Sequence, residues 1–315
     1  MASQNISTAF VKQYGTTIDM LLELKGGQFD GKCLEETIVG EEKYYDQLGS
    51  VYANEVIDRY GDSPENDISH ARRRVIATPY DVGIMFDKFD KVQMLTNPES
   101  EYVQRQVSAL RRKKAIEFFK GALGTAYTGK GGGTAVDLGV SNTIPNANAG
   151  MTLEKLRDAK KTLELGNVDL LDPMNKPYFV WTPTQMHELL AEQKVTSSDY
   201  ASIKALVSGD INTFYGFEFI TSNQVPYTDD STSYSVNLNW DATDAPLDSD
   251  GNDIRACFAY VKSAVRQVTN PSIETDISQR KDKRNNWYSY ACMRTGAVRM
   301  EEDKVVIVGC DEDVD

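Results

Sequence analysis

Histidine is nearly absent. Only His70 and His187 occur in 315 residues, so a histidine-based zinc site or a Ser-His-Asp triad has almost nothing to draw on. Cysteine is sparse and scattered. Cys33, Cys257, Cys292 and Cys310 show no metal-ligand or redox-motif spacing, so buried thiols in a reducing compartment are expected. Long apolar runs are missing too. None approaches the roughly 18 residues of a membrane span, and the segment Met1 to Phe10 lacks the charged-then-apolar layout of a signal peptide. A soluble, unexported protein is the expectation. Positive charge is in deficit: 34 Lys and Arg stand against 47 Asp and Glu, a net charge of −13. That balance argues against free binding to DNA or to an anionic membrane, because phosphates are repelled overall. Carboxylates are abundant, yet no pair stands out as a two-carboxylate hydrolase site.

What the chain does have is length, 40% hydrophobic residues, and one long helical signal from Asn97 to Leu123. Asn97 suits an N-cap and Pro98 the first helical position. Glu99 and Glu101 lie in the first turn, while Arg111, Arg112, Lys113, Lys114 and Lys120 load the later turns, the polarity the helix dipole favours. Val103, Val107 and Leu110 form one stripe. Ala115, Phe118, Phe119, Ala122 and Leu123 continue a rotated one. Gly121 and Gly124 are read as weakening and ending the helix, which would span roughly 40 Å.

Around it the pattern is mixed. Residues 7–25 read as a short amphipathic helix capped by Ser7 and stopped by Gly26 and Gly27. Residues 35–93 read as a long two-stranded excursion. Gly61-Asp62-Ser63-Pro64 is a turn signal within it, and Val75, Ile76, Val82, Ile84 and Phe86 suggest the return strand. After the long helix come a glycine loop, Gly129 to Gly133, and loop-rich sequence to Gly150. Thr152 caps a second helix ending at Gly166. Pro177 to Trp181 is a short buried strand, and Thr182-Pro183-Thr184-Gln185 resembles a capping box opening a third helix. Tyr200 to Val207 is a weak helix. Phe217–Thr221, Tyr234–Trp240 and Ile254–Val268 read as strands, with an acidic loop at 241–253. Trp287 to Val308 reads as two or three strands with turns at Thr295-Gly296 and Glu301–Asp303. Helices and antiparallel-looking strands without βαβ alternation indicate an α+β fold.

Two near-motifs fail on inspection. Gly124 to Lys130 nearly matches a phosphate-binding P-loop, but Gly131 stands where Ser or Thr should be, and a helix ends before the glycines instead of starting after them. A nucleotide-binding enzyme using Gly124–Lys130 is the rival function from another class. Asp248 to Asp253 resembles a calcium loop, but Asp253 and Ala259 occupy the positions that need glycine and glutamate. No catalytic, cofactor-binding or metal-binding residue is assigned. Arg72-Arg73-Arg74 reads either as a solvated strand face or as a contact for an acidic neighbouring protein. Lys281 to Arg284 is a similar basic patch.

The segment order is an arm, an extended loop, a spine helix, a mixed domain and a return to strands. It resembles the major capsid proteins of tailed bacteriophages, whose fold is named after phage Hong Kong 97. The local match is Gly209-Asp210-Ile211-Asn212-Thr213-Phe214-Tyr215-Gly216-Phe217-Glu218-Phe219 with Ser222, Val225 and Pro226, then Lys283-Arg284, Trp287, Gly296-Ala297-Val298-Arg299 and Val305-Val306-Ile307. The resemblance implies an α+β, Hong Kong 97-like capsid fold. Its parts would be an N-terminal arm (1–34), an extended loop (35–93), a peripheral domain with the spine helix (94–164 and 255–315) and an axial domain (165–254). It implies a non-enzymatic subunit without cofactors or metal. Such a subunit self-assembles into hexamers and pentamers of an icosahedral head shell enclosing double-stranded DNA. Its partners would be other copies, a scaffolding protein, a portal, a decoration protein and weakly held DNA, with no membrane. Its place would be the virion, after assembly in the bacterial host cytoplasm. A cellular encapsulin-type nanocompartment shell is the rival within the fold. The candidate inter-subunit contacts are Arg72, Arg73, Arg74, Arg111, Arg112, Gly209 and Gly216.

Overall fold

A computed structural model describes residues 26–55, 65–86, 99–170, 172–191, 213–228, 235–247, 254–270 and 273–312. In chain order the strands and helices are β1 (Leu34–Thr37), β2 (Glu42–Leu48), β3 (His70–Ile76), β4 (Thr78–Phe86), α1 (Glu99–Leu123), β5 (Ala126–Thr128), β6 (Thr134–Val136), β7 (Thr143–Ile144), α2 (Leu153–Leu165), β8 (Pro177–Trp181), α3 (Pro183–Ala191), β9 (Thr213–Phe214), β10 (Phe217–Thr221), β11 (Ile254–Val261), β12 (Val265–Thr269), β13 (Glu274–Arg280), β14 (Asn286–Arg299) and β15 (Val305–Asp311). The helix at 7–25, the turn at 61–64, the Asn97-Pro98 cap, the helix at 200–207 and the 248–253 loop lie outside the described residues.

The described chain forms two compact units. One draws on Pro79–Arg112 and Ser272–Met293, the other on Gly27–Thr78, Lys113–Pro271 and Arg294–Asp315. Helix α1 and strand β14 each contribute to both, which explains the rotated stripe of α1. Leu110, on the first stripe, packs with Ala291 and Met293 in the smaller unit, backed by Tyr80, Val82 and Ile273. There the Gln106 side chain donates to the Ser289 carbonyl at 2.9 Å and accepts from its hydroxyl at 2.7 Å. Strand β13 pairs antiparallel with the first half of β14, from Glu274↔Cys292 to Arg280↔Asn286.

The second stripe of α1 belongs to the larger unit. Phe118 and Phe119 are fully buried, each such ring contributing about 1.5–3 kcal/mol. Phe118 stacks on Phe29 at 4.3 Å and meets Tyr260 edge-on at 5.3 Å. Behind them lies a sheet ordered β7-β15-β11-β8-β10-β9. Strands β11 and β15 are buried almost throughout, which accounts for their near-continuous apolar sequences in place of alternation. Helix α2 is capped as expected, the Thr152 hydroxyl accepting from the Lys155 amide at 3.3 Å. Helix α3 begins with one half of the expected box: Gln185 Oε1 accepts from the Thr182 amide at 3.2 Å, while the Thr182 hydroxyl donates to that same oxygen instead of accepting from the Gln185 amide. A second sheet is ordered β2-β3-β5-β6.

Four local expectations need correction. Thr295-Gly296 is not a turn; β14 runs straight through it. Gly296 is small because a Cβ there would strike the Ile76 carbonyl oxygen. Ile254–Val268 is not one strand. A 3-10 turn at Lys262–Ala264 breaks it, sending β11 to the six-stranded sheet and β12 between β1 and β14. In 235–240 only isolated bridges form, at Val236 and Trp240. Side chains take over the backbone donors there: the Asn239 amide bonds Asn237 Oδ1 at 3.1 Å and the Thr243 amide bonds Asp241 Oδ1 at 2.7 Å. The loop expected at Gly129–Gly133 is present, as the turn of the β5–β6 hairpin, with Gly129 at φ +95° and Gly132 at φ +62°. Finally, Gly121 lies within α1, and its missing Cβ lets the helix approach Ala297, whose Cβ would be 2.5 Å away.

Candidate interaction surfaces

Strands β2 and β3 pair antiparallel from Glu42↔Ile76 to Leu48↔His70. Their period-2 alternation decides where each of the three consecutive arginines points. Arg73 turns inward and is 6% exposed, beside Val75 in a small core with Ile38, Tyr45, Ala77, Ala126, Val268, Val298 and Met300. Its Nε donates to the Met300 carbonyl at 3.0 Å, and its Nη2 to both Glu302 carboxylate oxygens at 2.8 Å. Arg72 and Arg74 turn outward. Arg72 pairs with Asp46 at 2.6 Å, and Arg74 lies over the Tyr127 ring and 3.6 Å from Glu42. Both pairs remain within the chain.

Glu302 serves a second arginine. Arg299 is fully buried and 3.6 Å from the same carboxylate. Its Nη1 donates to the Ala122 and Gly124 carbonyls, both at 2.8 Å, and its Nη2 to the Val136 carbonyl at 3.2 Å. It therefore caps the C-terminal end of α1, where orphan carbonyls need donors. Burial pulls the Arg299 pKa below its ordinary value, Glu302 opposes that, and Arg73 reinforces it. In the sequence Arg299 stands out only as part of Gly296-Ala297-Val298-Arg299. An arginine in an otherwise apolar strand segment was the available signal.

This node fixes the root of the β2–β3 hairpin; among the described residues farther along it, no comparable ion-pair node is seen. Backbone pairing continues through the Gly49 amide to the Ser69 carbonyl at 2.8 Å, and Asn66 Nδ2 reaches the Tyr52 carbonyl at 3.2 Å. Leu48, Val51, Tyr52 and Ile68 are all exposed, Tyr52 by 80% and Leu48 by 69%. Clustered large apolar side chains left in solvent mark a surface that another molecule covers.

The other sequence-derived candidates are dispersed. Arg111 is exposed and Arg112 half-buried on α1. The lysines that follow are engaged internally: Lys113 pairs with Asp244, and Lys114 bonds Asp30 at 2.7 Å and Glu35 at 2.8 Å. Burial lowers the Lys114 pKa, but these two carboxylates outweigh it and the net shift is upward. Gly216, at φ +89°, follows Tyr215 at φ +52° in the β9–β10 turn, over which Lys160 lies 4.8 Å from the Tyr215 ring centroid. Gly209 lies outside the described residues. At the β13–β14 turn Arg280 forks onto Asp282 at 3.0 Å, and Lys281, Lys283 and Arg284 are exposed.

Among the described residues no cluster of three or more His, Cys, Asp or Glu is placed to hold a metal ion. No described helix is long and apolar enough to cross a membrane. The P-loop near-match Gly124–Lys130 runs from the end of α1 through β5 into the β5–β6 turn, and a strand follows its glycines where a P-loop requires a helix.

Solved structures define the class. The chain is similar to the capsid of cyanophage P-SCSP1u, with a TM-score of 0.70 and 15% identity over 95% of this chain and 92% of that one. It is likewise similar to the acid-stable capsid of Helicobacter pylori bacteriophage KHP30, with a TM-score of 0.70 and 11% identity over 99% of both chains. The Ralstonia phage GP4 capsid gives 0.68 and 11% over 99% and 97%. The fold is the Hong Kong 97-like fold of tailed-phage capsids. The sequence model for phage capsid protein matches residues 6–312, and this chain belongs to that family. It is a structural protein of the phage head shell. No curated protein sequence matches it.

Proposed function

We propose that the chain is the major subunit of the shell, closing into hexamers and pentamers around double-stranded DNA without catalysing a reaction. The observation that carries this reading is the β2–β3 hairpin, pinned at its root by Arg73 and Glu302, while farther along it Leu48, Val51, Tyr52 and Ile68 meet solvent. A projecting apolar segment that seats on a different patch of the next copy makes a heterologous contact, and such contacts close into rings. Many modest contacts per subunit then sum to a durable shell while each remains correctable.

In this reading residues 35–93 are the extended loop, 1–34 the arm, 94–164 with 255–315 the peripheral domain and 165–254 the axial domain. A scaffolding protein, a portal and a decoration protein complete the head, which assembles in the host cytoplasm. The net charge of −13 suits a container for DNA, since a wall that gripped phosphates would hinder filling and release. Electron microscopy of the expressed protein tests the reading. Closed shells, hexamers or pentamers are the expected result. A monomer that persists at high concentration, with and without co-expressed scaffold, would refute it.

A further inference from the structure

Described residues on two hairpins carry exposed charges of opposite sign that form no ion pair among the described residues. At the β13–β14 turn Arg280 is engaged by Asp282 and by the Tyr288 ring, 5.3 Å away. The three remaining cations, Lys281, Lys283 and Arg284, are exposed and form no ion pair among the described residues. Arg284 and Asn285 in this turn both adopt left-handed backbone, at φ +53° and +59°. At the far part of the β2–β3 hairpin Glu55, Glu65 and Asp67 are exposed, and they too form no ion pair among the described residues. The contrast with nearer acids is sharp. Asp46 and Glu42, on the same hairpin, are matched by Arg72 and Arg74.

We propose that Lys281, Lys283 and Arg284 of one copy receive Glu55, Glu65 and Asp67 of a neighbouring copy. The proposal rests on the self-assembly reading and names the residues of one contact within it. Three positive groups in a chain of net charge −13 are attracted to acidic side chains, and Glu55, Glu65 and Asp67 are exposed carboxylates with no ion pair among the described residues. Nucleic acid is the less favoured occupant, because the rest of the chain repels phosphate. At about 8 Å of screening in physiological salt the two groups act only near contact. The charges then set register and encounter rate, while the adjacent apolar residues Tyr52 and Ile68 supply burial.

The test is a charge swap in the full chain. The variant K281E/K283E/R284E and the variant E55K/E65K/D67K should each fold with unchanged circular dichroism, since all six side chains are exposed. Each alone should raise the critical assembly concentration about tenfold or more. The sixfold variant combining both sets should restore assembly. Mixing the two triple variants should yield oligomers containing both, seen by native mass spectrometry, which a contact within one chain would not produce. Assembly of either triple variant at wild-type concentration would overturn the proposal. So would failure of both the mixture and the sixfold variant to recover. Shells of the first variant that form normally but retain less DNA would assign the basic tip to nucleic acid instead, which also overturns it. A wild-type chain that never forms multimers would instead refute the assembly reading itself.

Discussion

Arg73 and Glu302 meet through two hydrogen bonds, both 2.8 Å, and lie 229 residues apart in sequence. Because Arg299 approaches the same carboxylate at 3.6 Å, one acid holds together the hairpin root, the end of α1 and the turn before β15. Charge counting within this node gives an ordering. Removing Arg73 leaves a one-to-one pair, whereas removing Glu302 takes the shared carboxylate from two guanidiniums that repel each other, with only the weaker pull of Asp137 left on Arg299. Glu302→Ala should therefore destabilise the soluble subunit more than Arg73→Ala, whose cost should be about 1–3 kcal/mol. Urea unfolding checks the order, and equal or reversed losses would contradict it.

Gly121 offers a test of packing against propensity. In a free helix Ala is better than Gly by about 1 kcal/mol. At this position the added methyl would lie 2.5 Å from both the carbonyl carbon and the Cβ of Ala297, so helix and strand must separate. Overpacking of this kind costs about 1–3 kcal/mol. Gly121→Ala should lower the thermal midpoint, and any rise would show that the crossing yields easily.

The four cysteines should separate by reactivity. Burial pushes the Cys33 thiol up to about 12, and burial with the neighbouring Cys310 raises Cys257 well above its ordinary range. Cys33, Cys257 and Cys310 are buried, while Cys292 is half-exposed. Labelling of the native soluble subunit with a thiol reagent at pH 8 should therefore modify Cys292 first, the others reacting only on unfolding. Fast labelling of Cys257 would contradict the buried β11–β15 pairing.

Much of this fold was readable because local signals and tertiary structure agree. Thr152, Thr182 with Gln185, and the apolar strand at 177–181 act through neighbours a few residues away, so their spacing suffices. The failures share a cause. Gly121 and Gly296 resemble a helix breaker and a turn residue, yet each exists for a partner far along the chain, Ala297 and Ile76. The break at Lys262–Ala264 separates strands of two sheets, and neither half shows this in its own pattern. Of the surface candidates, the arginine run was visible as a run. Only the β2–β3 register shows that Arg73 is a buried anchor while Arg72 and Arg74 pair on the surface.

Acidity should loosen the same hairpin root through Glu36. Its carboxylate accepts from Lys43, and further from Tyr45 at 3.2 Å and Arg266 at 2.5 Å. The Lys43 hydrogen bond, chiefly, lowers the Glu36 pKa below its ordinary 4.5, against a smaller opposing effect of burial. For an acid with a depressed folded pKa, the unfolded chain binds the proton first as pH falls. The stabilisation is therefore complete above about 4.5 and is lost as pH drops through the lower folded value. Glu36→Gln should destabilise at neutral pH and show a shallower loss below pH 4.5, read from urea midpoints across pH 3–7. Parallel curves for both proteins would rule out Glu36 as a contributor.

The exposed apolar residues of the β2–β3 hairpin give the most direct separation of folding from assembly. Leu48 and Tyr52 are 69% and 80% exposed in the single chain, so Leu48→Ser with Tyr52→Ser removes almost no intramolecular burial. Surface changes of this sort shift stability by about 0.5 kcal/mol or less. The same side chains, if covered by a neighbour, each lose roughly 1.5–3 kcal/mol of apolar burial per contact. Repeated around a ring, that difference is multiplied by the number of contacts made. The double variant should therefore unfold like wild type as a soluble subunit yet fail to form shells, with sedimentation velocity reporting small species at concentrations where wild type is assembled. Normal shells would mean that these residues stay in solvent after assembly and that other parts of the chain carry the contact. A lowered unfolding midpoint of the subunit would mean instead that Leu48 and Tyr52 contribute to packing within the chain.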